Sequence, residues 1–257
     1  MWVSDMFQNK VAFVSGSGGG IGLEIACDLL KAGAFVYAFD LKPQPEELSQ
    51  FERVEFFQGD LRSGEQLRSL FEQIDATHGR LDCVANAAGV CFFERDGSVE
   101  TADESVFSAT LDINLMGAIR VVRESLPLLR RAGGGAFVHV ASVVGLRNME
   151  NIIGGGPADA YQISKAALVS LSRSIAMQFA RDKIRSNTIC PGSIATPMTA
   201  DIYTDTSRIA AMEGRTPLGV IGETADVSAA ALFLLSDRAK FITGIDLPVD
   251  GGLLAKL

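Results

Sequence analysis

Tyr161 and Lys165 stand four residues apart in a segment, 159–181, that reads as a helix, so both side chains project from one helix face. A tyrosine hydroxyl ordinarily titrates near pH 10, at about that value in model peptides. A neighbouring ammonium favours the tyrosinate and lowers it, toward the range in which a general acid–base group works at neutral pH. Taken alone, such a pair is more often a solvated face beside a packed ring. A second feature is the run Ser15-Gly16-Ser17-Gly18-Gly19-Gly20-Ile21-Gly22, which follows an apolar segment and opens a helical one. Backbone bare of side chains can approach a diphosphate there, and a helix N-terminus favours its charge. The same glycines are also compatible with a simple tight turn. Asp40 lies about 20 residues beyond this turn, where a carboxylate accepts hydrogen bonds from the adenosine ribose hydroxyls of NAD. It would oppose the extra phosphate of NADP; Gly19 offers that phosphate no cation, and Lys42 is the nearby base. The plainer role for Asp40 is to cap the turn before Pro43.

The elements that must position these residues are legible as alternating patterns. Apolar runs of strand length occur at 11–14, 35–39, 54–57, 83–85, 136–140, 185–189 and 245–249. Most are continuous, as expected of strands buried on both faces of a parallel sheet. Helix-like stretches at 21–32, 64–78, 105–131, 159–181 and 224–235 separate them. The alternation predicts βαβ units and a single-domain, Rossmann-like, doubly wound parallel sheet of the α/β class, flanked by helices and spanning residues 1–257. The irregular stretches are 147–157, with Gly154-Gly155-Gly156, and 196–217.

In this setting the glycine turn resembles the TGxxxGIG cofactor loop of the short-chain dehydrogenase/reductase family, with Ser15 in place of Thr. Other segments match that family in order. They are Asp60-Leu61 after the third strand, Asn86-Ala87-Ala88-Gly89, Asn114 in a helix, Ala141-Ser142, Tyr161-x-x-x-Lys165, Pro191-Gly192-Ser193-Ile194-Ala195-Thr196, and the terminal Ile242-Thr243-Gly244 and Val249-Asp250-Gly251-Gly252. The resemblance implies a catalytic set of Asn114, Ser142, Tyr161 and Lys165. Ser142 would orient and polarise the substrate oxygen, Lys165 would also bond the nicotinamide ribose, and Asn114 would hold a water that relays protons. Without the resemblance, Ser142 is an ordinary strand-end hydroxyl and Asn114 a helix cap or kink. NAD would be held by Gly16, Gly18, Gly19, Gly20, Ile21, Gly22, Asp40, Leu41, Asp60, Leu61, Asn86, Ala87, Ala88, Tyr161, Lys165, Pro191, Gly192, Ile194 and Thr196. Relatives associate through the helices carrying Asn114 and Tyr161, which implies a homodimer or homotetramer.

Two departures from the family pattern bear on function. Ala87 replaces an asparagine amide, and the Ser142–Tyr161 interval is longer than usual, adding chain at 146–160. Met149, Ile152 and Ile153 there, with Met198, Ile202, Tyr203 and Ile209 in 196–217, are expected either to wall an apolar pocket or to fill an interface or core. The predicted activity is the NAD-dependent interconversion of a secondary alcohol and a ketone, with an apolar or cyclic alcohol as substrate and oxidation as the favoured direction. A 3-oxoacyl thioester reductase and a non-catalytic dinucleotide sensor are the alternatives.

Bulk properties agree. A net charge of −8 opposes nucleic-acid binding. No run of 18 or more apolar residues is present, so neither a transmembrane helix nor membrane attachment is expected, and the N-terminal segment lacks a secretory pattern. Cys27, Cys83, Cys91 and Cys190 are scattered, and His78 and His139 have no metal-ligand spacing, so no metal is expected and the cytoplasm is the expected location.

Overall fold

The computed structural model describes residues 6–150 and 156–256. Seven strands form one sheet, each pairing parallel with its neighbour in the order β3-β2-β1-β4-β5-β6-β7. They are β1 (Val11–Ser15), β2 (Phe35–Asp40), β3 (Val54–Gln58), β4 (Cys83–Asn86), β5 (Gly135–Val140), β6 (Ile184–Pro191) and β7 (Asp246–Val249). Between them run α1 (Gly20–Lys31), α2 (Glu46–Ser49), α3 (Gly64–His78), α4 (Glu104–Leu111), α5 (Gly117–Arg131), α6 (Asp159–Gln178), α7 (Thr206–Arg215) and α8 (Thr224–Leu235), with α9 (Leu253–Lys256) after β7.

The continuous apolar runs are explained by burial on both sheet faces. Ala12 and Val14 pack with Ile25 and Leu29 of α1 and Val227 and Ala231 of α8, whereas Val11 and Phe13 pack with Leu67 and Phe71 of α3 and Val121 of α5. Successive strand residues point to opposite faces, so a strand covered on both sides must be apolar throughout. All seven predicted strands and the predicted helices appear, with one change. The stretch predicted as one helix from 105 to 131 contains a π-helical turn, Asp112–Met116, between α4 and α5. The whole run Glu104–Arg131 is long and apolar enough to cross a bilayer by length and composition. Here Val121, Val122, Leu128 and Leu129 lie instead against the sheet.

The strand order changes direction between β1 and β4, and open α/β sheets bind ligands at such a switch point, outside the carboxyl ends of the strands. The glycine turn lies there. Gly16 has φ +77°, and a Cβ on it would lie 2.5 Å from the Ala88 nitrogen; a Cβ on Gly22 would lie 2.1 Å from the Gly16 carbonyl oxygen. Those contacts seat α1 directly on the turn. Gly22→Ala is therefore expected to force the turn and helix apart at a cost of about 1–3 kcal/mol. For a chain this size the melting temperature should fall by roughly 2–4 °C per kcal/mol, and an unchanged thermal melt would refute the close approach.

Candidate active site

Helix α6 brings Tyr161 and Lys165 to the sheet, and four ties from three other chain segments fix it there. The Asp96 carboxylate accepts from the main-chain N–H groups of Ala160 (3.2 Å) and Tyr161 (3.0 Å), in the first turn of the helix. Asp159 accepts from the Val99 N–H at 2.8 Å, so the loop after β4 is stapled to the helix start twice. Below β5, the short turn Val143–Gly145 passes so close to α6 that a Cβ on Gly145 would stand 2.8 Å from the Lys165 main chain. That closeness brings the Ser142 side chain beside the Tyr161 hydroxyl.

Asn114 supplies the fourth tie. It sits in the π-helical turn, 1 % exposed. Its Oδ1 accepts from the Val90 N–H at 2.8 Å, and its Nδ2 donates to the Val90 carbonyl and to Ser164 Oγ, both at 2.9 Å. Ser164 Oγ in turn donates to the Tyr161 carbonyl at 2.7 Å. Both amide hydrogens of Asn114 are thus engaged by protein. The side chain ties three segments together, which leaves its main chain and a remaining oxygen lone pair for any contact with water.

A cavity of about 600 Å³ lies across the strand ends, within the range of small-molecule and cofactor sites. Gly16, Gly18, Gly19, Gly20, Ile21 and Gly22, with Asp40, Leu41, Asp60, Leu61, Ala87, Ala88, Pro191, Gly192, Ile194 and Thr196, all line it, as do Ser142, Tyr161 and Lys165. Asn86 does not. Its strand position pairs with His139 on β5, and the two side chains meet at 3.2 Å inside the sheet, so its side chain is engaged away from the cavity.

The cradle fits a dinucleotide. No side chain caps the N-terminus of α1, so its first N–H groups remain available to an anion. The Asp40 carboxylate accepts from the Gly18 and Lys42 N–H groups, each at 2.8 Å, and it occupies the place where a Cβ on Gly18 would stand. The turn-capping reading of Asp40 is thus what the structure shows, and it is compatible with the other, because each carboxylate oxygen keeps lone pairs for a ribose hydroxyl. Asp60 is held bidentately by Arg62, and that guanidinium keeps its carboxyl below the usual carboxylate range.

The electrostatics of the proton-transfer groups differ from the expectation. Burial raises the Tyr161 hydroxyl above its ordinary value, the neighbouring Cys91 adds to the rise, and the Ser142 side chain opposes it. Lys165 does not offset this. Its Nζ donates to the Val140 carbonyl at 2.9 Å and lies 5.5 Å from the centre of the Tyr161 ring, and burial lowers its own pKa to about 8. Burial likewise lowers His139 to about 4, so it stays neutral inside the sheet.

Residues 16–254 match the family model described as enoyl-(acyl carrier protein) reductase, one of the short-chain dehydrogenase/reductase models. The chain belongs to the short-chain dehydrogenase/reductase family. L-Rhamnose-1-dehydrogenase of Scheffersomyces stipitis is 31 % identical over 99 % of this chain and 100 % of that protein. Trans-4-hydroxycyclohexanecarboxylate dehydrogenase of Sinomonas cyclohexanicum is 33 % identical over 97 % of this chain and 95 % of its own. The crystal structure of carveol dehydrogenase from Mycobacterium avium in complex with NAD has a TM-score of 0.88 at 27 % identity, covering 98 % of this chain and 99 % of that one. The chain is thus an oxidoreductase of this family, which uses nicotinamide cofactors and acts on alcohol-type small molecules.

Around Tyr161 this short-chain dehydrogenase/reductase adds lining residues with no motif to announce them: Cys91, Phe93, Met212, Arg215 and Leu253. Of the apolar wall expected from the sequence, Met149 and Met198 line the cavity and Ile209 does not. Ile152, Ile153 and the side chains of Ile202 and Tyr203 lie outside the described residues.

The buried ammonium makes stability depend on pH in a definite direction. The pKa of Lys165 falls from 10.5 in the unfolded chain to about 8 in the folded one, so between those values the unfolded chain binds more protons. The parent's unfolding free energy, relative to Lys165→Met, should accordingly rise from pH 8 to pH 10.5 and reach its lowest level below pH 8. Urea melts of both proteins across that window test this; a constant difference would place the ammonium in water.

Proposed function

We propose that the protein interconverts a secondary alcohol and a ketone with NAD, and that Tyr161 handles the proton. The observation that carries this reading is that Ser142, Tyr161 and Lys165 line one cavity, with the Ser142 side chain beside the Tyr161 hydroxyl and Lys165 one helical turn on. When bound, a nicotinamide dinucleotide supplies the acceptor for the hydride of the carbinol carbon. In oxidation, Tyr161 takes the hydroxyl proton and Ser142 orients the same oxygen; in reduction, Tyr161 returns the proton. The raised Tyr161 value suits the reducing direction, in which the hydroxyl must be protonated. In oxidation the tyrosinate must form against that burial, and Lys165 does not offset it. Among the described residues the Val140 carbonyl is the acceptor of the Lys165 ammonium, whose other N–H donors would serve ribose hydroxyls.

The apolar side chains around Tyr161 support an apolar or cyclic substrate. The name of the Sinomonas relative, with its hydroxylated cyclohexane ring, is in keeping with this. Buried free cysteines support a reducing, cytoplasmic setting, and assembly as a homodimer or homotetramer belongs to the same reading.

Tyr161→Phe is expected to lose about 10²–10⁴-fold in kcat while still binding NAD, since general acid–base groups contribute that much. Stopped assays with a panel of secondary alcohols, beside calorimetric NAD titration, check both halves, and near-parental turnover would remove Tyr161 from the mechanism.

Cofactor choice follows from Asp40 and Gly19. Asp40 opposes the ribose phosphate of NADP, and kcat/KM is expected to favour NAD by at least about tenfold, or roughly 1.4 kcal/mol. Gly19 has extended backbone (φ 166°), and a Cβ there would meet Pro197 no closer than 3.7 Å, so an arginine is sterically admissible. The double substitution Asp40→Ala, Gly19→Arg should shrink or invert the ratio, because removing repulsion and adding attraction contribute separately. Steady-state kinetics with both dinucleotides decide the point; equal use of NADP by the parent would remove Asp40 as the selector.

A further inference from the structure

An arginine outside the cavity joins two of the segments that wall it. Arg120 lies on α5 and does not itself line the cavity. Its side chain leans toward the N-terminal end of the helix, as long helical side chains do, and reaches back over the π-helical turn. There Nη2 donates to Asp112 Oδ1 at 2.7 Å. Nη1 donates to the Asp112 carbonyl at 3.3 Å and to the Leu61 carbonyl at 3.2 Å. The Arg120 side chain is 24 % exposed, so water screens these bonds only in part.

A second contact seats Leu61 in the same place. A Cβ on Gly117 would stand 3.0 Å from Leu61 Cβ, so Leu61 packs directly on the first turn of α5. Ile113, which follows Asp112 in the π-helical turn, lines the cavity as Leu61 does. Two apolar lining residues far apart in the chain thus stand on backbone that one guanidinium joins. Three strands lie between β3, which Leu61 follows, and β5, which Ser142 follows. The joined residues therefore belong to the half of the cavity away from the proton-transfer groups.

We propose that Arg120 is a positioning residue for the dinucleotide: by joining Leu61 to Asp112 it holds Leu61 and Ile113 where they accept the adenine ring. This rests on the NAD reading above. The nicotinamide end must meet Tyr161, which leaves the adenosine for the half of the cavity beside Asp40 and Leu61. Adenine is a flat heterocycle with apolar faces, and apolar side chains are the ordinary lining of such a site. Were the Leu61 main chain free to drift, binding would have to order it, and that ordering would be subtracted from affinity. Arginine suits the task because its rigid planar fork meets several acceptors at once, which a lysine ammonium on its flexible stem does less well.

The test is calorimetric titration with NAD and with ADP-ribose, which keeps the adenosine and diphosphate and lacks the nicotinamide. Arg120→Met is expected to weaken both by the same factor, about tenfold, the scale of one hydrogen bond to a charged group. KM for NAD should rise with it, while kcat at saturating NAD and its pH profile, which report on Tyr161, stay close to parental. Arg120→Lys should recover part of the affinity. Asp112→Ala removes the carboxylate that aims the guanidinium; it should weaken both ligands, and combined with Arg120→Met it should add nothing further. Should Arg120→Met fail to fold, the lysine and alanine variants carry the same comparison. Unchanged affinity for ADP-ribose overturns the assignment and leaves the NAD reading standing. So does a fall in kcat at saturating NAD with affinity kept, which would place the action of Arg120 on Asn114 instead, or strict additivity of the pair. If the parent binds neither NAD nor ADP-ribose, the cofactor reading itself falls, and this inference with it.

Discussion

Lys165 carries its ammonium group to a place where a single main-chain carbonyl, that of Val140, accepts from it at 2.9 Å and no carboxylate among the described residues pairs with it. Burying a cation on those terms is unfavourable, and the lowered pKa records the cost. Such a group persists only where the surroundings determine its position more strongly than it resists. Gly145 lets the turn after β5 press against the helix at Lys165 itself, and a side chain there would meet the backbone at 2.8 Å. Asp96 and Asp159 hold the first turn of α6, and Asn114, through Ser164, holds the carbonyl of Tyr161. Remove that seating and the helix can relax, letting the ammonium reach water and parting Tyr161 from Ser142.

Much of this frame was legible because its signals are local. Continuous apolar runs mark strands covered on both faces, and the glycine turn announces itself by composition. What was not legible depends on contacts between distant segments. Asp96 caps a helix that starts 63 residues later, counting from Asp96 to Asp159, so no pattern of neighbouring residues points to it. The π-helical turn is hidden for a different reason: apolar periodicity does not register one widened turn inside a helix. That turn nevertheless accompanies the buried placement of Asn114, whose amide then ties Val90 to α6. Met212 and Arg215 come from a helix in a stretch that had been read only as irregular.

Asn86 shows how a strand's alternation decides where a motif side chain points. In a strand, successive side chains face opposite sides. Asn86 is the last residue of β4, and its partner in register is His139; their side chains therefore meet on the same face. Ala87 and Ala88, beyond the strand, border the cavity instead. Burial keeps His139 neutral, which allows Nδ1 to act as acceptor for the Asn86 amide, and no charge enters the sheet beneath the site.

The two glycines beside Asp40 differ in how far they depend on its carboxylate. A side chain at Gly18 would displace the Asp40 carboxylate, whose carboxyl carbon stands 2.6 Å from where the Cβ would be. That contact belongs to a hydrogen bond from the Gly18 N–H, which together with the Lys42 N–H fixes the carboxylate's direction. Gly19, one residue later, is unconstrained by either conformation or space. The turn's stability therefore depends on Gly18 and Asp40 together, whereas the charge presented to a ribose phosphate depends on Asp40 and whatever occupies position 19. Exchanging Asp40 alone would loosen the turn as it lowered the repulsion, so affinity for both dinucleotides would fall and discrimination would change less than the charge count implies. Position 19 carries no such coupling, which makes it the place where cofactor preference can shift without disturbing the fold.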